Sequence, residues 1–202
     1  MAWVIWRRFW AGVLFYGFVF FGTTAAAGLQ LLEAINGDVA DLGRIMAGQR
    51  PAWRWFAWKP RNAGYLASLI QFIGTLLFNV NTGDALLTGL DWVEKDILIW
   101  APNMAGSLCF LAASYLALIE ISHGWWSFEP RQISWWVVMV NLAGSVAFQI
   151  SALYGFFPRL PVVSWAWDAN LWTLIGALCF FIASYLMLPE LFDADARAPS
   201  KA

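Results

Sequence analysis

The sequence predicts an all-α, polytopic transmembrane helical bundle of about five spans, four of them a tandem hairpin repeat. Three observations carry this. Of the 202 residues, 61% are hydrophobic and only 12% charged, with a mean hydropathy of +0.61, against about 25% charged residues in a soluble domain. Apolar runs recur that are long enough, at about 1.5 Å per residue, to cross a hydrocarbon layer of roughly 30 Å. Finally, the line Gly-Ser-Leu-Cys-Phe-Leu-Ala-Ala-Ser-Tyr-Leu-Ala-Leu-Ile-Glu, from Gly106 to Glu120, returns as Gly-Ala-Leu-Cys-Phe-Phe-Ile-Ala-Ser-Tyr-Leu-Met-Leu-Pro-Glu, from Gly176 to Glu190. About ten of the fifteen positions are identical, more than shared hydrophobicity produces. A β-barrel is disfavoured because the apolar runs do not alternate with polar residues. The net charge of -1 supplies neither a basic field for nucleic acid nor an acidic one for cationic partners.

Residues 1–33 form the N-terminal span. Arg7 and Arg8 precede an apolar run over 11–32 that has no convincing cleavage site, so it reads as a retained span rather than a signal peptide. Its small residues from Gly22 to Gly28 suit close helix packing in lipid. Residues 34–62 are a basic, Trp-rich interfacial loop in which Trp53, Trp55 and Trp58 interleave with Arg54, Lys59 and Arg61. Such a mixture fits the headgroup layer, and a nucleic-acid stacking surface is the less favoured alternative.

The first helical hairpin covers 63–121. Its first span runs over about 63–80, followed by a loop with Asp84, Asp91, Glu94 and Asp96 that has room for a short interfacial helix, and then by a span over about 100–121. Asn79 and its neighbours before Asp84 read as helix-capping amides. Asn103, beside Pro102, reads as a helix-end residue. A polar connection through His123, Trp125, Trp126, Glu129, Pro130 and Arg131 leads to the second hairpin, 134–190. Its two spans, to about 157 and over about 171–188, flank a turn through Pro158, Arg159, Pro161, Trp165, Trp167 and Asp168. Residues 191–202 complete a polar tail that starts at Pro189. All fifteen tryptophans fall in or beside the polar flanks, as an interfacial belt requires. Counting Lys and Arg by alternate sides places the C-terminus in the cytoplasm and the N-terminus outside. Arg7 and Arg8 oppose the latter, and a first segment that dips in and returns would put both termini inside.

The weaker half of the repeat aligns the stretch from Leu66 to Phe78 with that from Leu142 to Tyr154. A unit of two crossings repeats in the same orientation, about an axis along the membrane normal. The patterns Gly74-Thr-Leu-Leu-Phe78 with Gly106-Ser-Leu-Cys-Phe110, and Gly144-Ser-Val-Ala-Phe148 with Gly176-Ala-Leu-Cys-Phe180, resemble the YrhK-like domain, a small two-helix bacterial membrane module, and multi-span membrane proteins of actinobacteria. The resemblance covers roughly 62–190. It implies a location, the bacterial inner membrane, and a hairpin, with no activity or catalytic residues attached.

Polar side chains within the spans are the functional leads. Gln71, Thr75 and Asn79 recur at i, i+4 and i+8 on one helix face, and Asn141, Ser145 and Gln149 do the same. The favoured reading is hydrogen bonding between helices, at about 0.6 kcal/mol per bond. The alternative is a polar path for a small solute or ion. Glu120 and Glu190 are matching repeat positions, and Glu120 lies three residues before His123, the single histidine. That is half of a dimetal carboxylate pattern at best, so the three read as solvated span ends. Cys109 and Cys179 read as small buried residues. No motif for an enzyme, metal or cofactor stands out. The expected partners are membrane lipids and a second copy or another membrane protein. The leading function is a non-enzymatic membrane module that binds a partner protein or lipid, and the runner-up is a small permease or channel.

Overall fold

The computed structural model describes residues 22–37, 48, 52–84, 87, 89–122, 124–156 and 162–197, without the side chains of 92, 156, 162–166 and 188–197. The described residues are helical apart from turns and connections. Helix α1 (22–36) is followed by α2 (Ala63–Asp84), the single turn α3 (Trp92–Lys95), a π-helical turn over Asp96–Trp100, α4 (Ala101–Ser122), α5 (Ile133–Phe156) and α6 (Val162–Arg197). Four stretches are long and apolar enough to cross a membrane, Ala63–Asp84, Val93–Ser122, Ile133–Gly155 and Trp167–Met187. By the length and composition of these helices, the chain is a multi-pass membrane protein. Most of the expected first span lies outside the described residues.

The helix starts follow local chemistry. A Pro-Arg turn precedes α2, closed by the Asn62 N–H on the Lys59 carbonyl at 3.0 Å, and the Asn62 side chain accepts from the Tyr65 N–H at 2.8 Å as an N-cap. The corresponding turn before α5 closes from the Gln132 N–H to the Glu129 carbonyl, also at 3.0 Å. Asp91 and Glu94 form a reciprocal capping box ahead of α3, each accepting from the other's N–H at 2.8–2.9 Å.

The chain divides into two compact units whose boundary falls between Cys109 and Phe110, inside α4. In the first unit α1 lies antiparallel to α2, with Gly28 opposite Phe72 and Thr24 opposite Asn79. The start of α4 meets α2 where a Cβ added to Gly106 would lie 2.7 Å from Phe78 Cδ2 and 3.2 Å from the Gly74 carbonyl oxygen. In the second unit a Cβ added to Gly176 would lie 2.8 Å from Phe148 Cδ2 and 3.0 Å from the Gly144 carbonyl oxygen. Glycine is required at both sites because backbone meets backbone there. The two contacts match position for position, seventy residues apart. Phe78 therefore pairs with Phe148 and Thr75 with Ser145, which moves the expected Leu66–Leu142 alignment by six residues. Phe110, Phe148 and Phe180 fill the second unit's centre with ring centroids 5.5–6.3 Å apart.

Several boundaries differ from expectation. The acidic loop before the third span is helical from Trp92 onward, because its acids form a cap and extend the helix beyond the apolar stretch. Asn103 is consequently a buried interior residue and not a helix end. Pro102 fits inside the continuous helix because the wide π turn immediately before it relieves the carbonyl clash a proline ring makes in a regular α-helix. Residues 162–168, expected as a turn, open α6, and the tail continues as helix to Arg197.

Candidate functional site

The polar stripe of α2 faces α1. Asn79 Nδ2 donates to Thr24 Oγ1 at 2.6 Å and Gln71 Nε2 to Gln30 Oε1 at 3.3 Å, while the buried Thr75 hydroxyl donates to the Gln71 carbonyl at 3.0 Å. Asn79 is thus a partner between helices and not a cap, because α2 continues past it to Asp84. The stripe of α5 behaves alike within its own unit. Ser145 is fully buried, its Oγ lies 2.7 Å from Ser114 Oγ of α4, and it reaches the Phe110 carbonyl at 3.2 Å and the Asn141 carbonyl at 3.0 Å. Asn141 and Gln149 are half-buried on the same helix. Ser151 adds a second link, bonding the Ala169 carbonyl at 2.8 Å and Thr173 Oγ1 at 2.7 Å.

The partners Thr24, Gln30 and Ser114 were not among the candidates. Thr24 sits in the small-residue stretch after Gly22, and Ser114 in the repeated Ala-Ser-Tyr line, so each was marked only by lying in a segment already read as a packing surface.

Glu120 is exposed near the end of α4. His123 lies outside the described residues, and Glu190 is helical with its side chain outside the description. Among the described residues, no group of three or more His, Cys, Asp or Glu is placed to hold a metal ion.

A second cluster ties the Trp-rich loop to the end of α1. The Asn36 side-chain amide pairs with the backbone of Arg54 in both directions, donating to its carbonyl at 2.8 Å and accepting from its N–H at 2.9 Å. Lys59 Nζ donates to the last carbonyls of α1, Ala34 at 3.1 Å and Ile35 at 2.6 Å. A cation there answers both the unpaired carbonyls and the negative end of the helix dipole. The loop's aromatic side chains remain exposed, Trp53, Trp55, Phe56 and Trp58 all being more than half accessible.

Comparison with protein-family models, with characterised proteins and with solved structures returns no match. The resemblance to the YrhK-like domain rests on the short glycine and phenylalanine motifs alone.

Proposed function

We propose that the chain is a bacterial inner-membrane module built by duplication of a helical hairpin, whose bundle or oligomer binds a membrane protein or lipid partner without performing chemistry of its own. The observation that carries this reading is the use of the intramembrane polar groups. Asn79, Gln71 and Ser145 each spend a hydrogen bond on a neighbouring helix of their own unit. Side chains committed in this way fix helix positions, whereas a conducting path needs polar groups turned to water.

Reconstitution of the full chain into vesicles tests the proposal. The expected result is ion and small-solute permeability equal to that of empty vesicles, with Asn79→Ala and Ser145→Ala lowering thermal stability. Protein-dependent flux that these substitutions abolish would favour the channel reading.

A further inference from the structure

The two interfacial turns share a backbone and differ in charge. Each closes by the same 3.0 Å bond, and each sets an aromatic ring edge-on to the first turn of the following helix, Trp58 on Tyr65 at 6.4 Å and 88°, and Phe128 on Trp135 at 5.2 Å and 85°. Both present exposed aromatic side chains, Trp53, Trp55, Phe56 and Trp58 in one and Trp125, Trp126 and Phe128 in the other. Residues 52–62 contain Arg54, Lys59 and Arg61 and no acid, whereas residues 124–132 contain one acid, Glu129, and one base, Arg131. Glu129 is moreover hydrogen-bonded by Gln132.

We propose that the first turn is a binding surface for the headgroups of anionic phospholipids and that the second, its charge-balanced counterpart, anchors in the interface without headgroup preference. This rests on the lipid-binding reading above and names the lipid class and the place. Arg61 is exposed and shares an open cleft with Lys59, Pro60 and Asn62. Because its ammonium is held on α1, Lys59 carries a fixed charge at the cleft wall. Lipid is favoured over nucleic acid because the surface passes directly into α2, an apolar helix of 22 residues. The exposed rings are the kind that lodge at headgroup depth. Clustered cations beside a membrane helix attract anionic lipid at about 1 kcal/mol each, or about fivefold in affinity.

The test uses the full chain in detergent, titrated with phosphatidylglycerol or phosphatidylcholine, with retained lipid counted by native mass spectrometry. Phosphatidylglycerol should be retained several-fold over phosphatidylcholine. Arg61→Gln should reduce that preference about fivefold, Arg61→Lys should preserve most of it, and Arg131→Gln should leave it unchanged. Raised salt should weaken it. Equal retention of the two lipids, an equal loss in Arg131→Gln, or displacement of phosphatidylglycerol by a single-stranded oligonucleotide would overturn the proposal. Vesicle flux would instead overturn the broader reading, so the two failures are distinguishable.

Discussion

The hydroxyls of Ser114 and Ser145 lie 2.7 Å apart in the interior of the second unit, with Ser145 wholly inaccessible. Removing one hydroxyl leaves its partner able to bond its own helix, so Ser145→Ala should cost only about 0.6 kcal/mol. Ser145→Leu must force α4 and α5 apart and should cost about 1–3 kcal/mol. Unfolding in a denaturing detergent titration resolves the two, and equal losses would contradict the packing described.

Gly106 and Gly176 stand where an added Cβ would come within 3 Å of a phenylalanine ring. Gly106→Leu and Gly176→Leu should each destabilise by about 1–3 kcal/mol or more, since turning the ring aside would still leave the added Cβ 3.0–3.2 Å from a carbonyl oxygen of the facing helix. Gly22→Leu, where nothing among the described residues lies within 4 Å of the added atom, should be near neutral. Thermal unfolding of the three variants in one detergent checks the contrast.

Thr24 Oγ1 and Asn79 Nδ2 lie 2.6 Å apart, so cysteines at both positions should be bridged by a short bis-methanethiosulfonate reagent. The native Cys109 and Cys179 would first be replaced by alanine. A shift in electrophoretic mobility, reversed by reductant, is the readout, and its absence would mean that α1 does not lie along α2 as described.

Lys59 holds the end of α1 through two carbonyls. Lys59→Met should loosen that end by about 1 kcal/mol, seen as faster hydrogen exchange of the amides over 33–37 with α5 and α6 unaffected.

Brominated lipids test the depth of the aromatic turns. Bromine near the headgroup should quench tryptophan fluorescence more than bromine near the chain ends, because Trp53, Trp55, Trp58, Trp125 and Trp126 are exposed at the helix starts and not midway along them.

Much of the architecture was legible from residues. The span starts near Ala63 and Ile133 followed from polar, Trp-rich connections meeting apolar runs, and the faces of the polar stripes followed from their spacing of four. The helix extents were hidden at Trp92 and Val162. Asp91, Glu94 and Asp96 read as a loop with room for a short interfacial helix, yet a carboxylate at a helix start is a cap, and a helix can continue into the next span wherever water solvates its side chains. Pro102 read as a boundary because sequence gives no sign of a π turn ahead of it. Thr24 and Ser114 escaped notice because a lone hydroxyl in an apolar run has no spacing to betray its partner.

The last helix has the least covered membrane stretch of the four, with 11% of it buried against 28–39% in the others. Ser184, seventy residues after the buried Ser114, is exposed on it and donates to its own Phe180 carbonyl at 2.8 Å. The duplicated hydroxyl thus grips its own helix at the place where its earlier copy grips a neighbour.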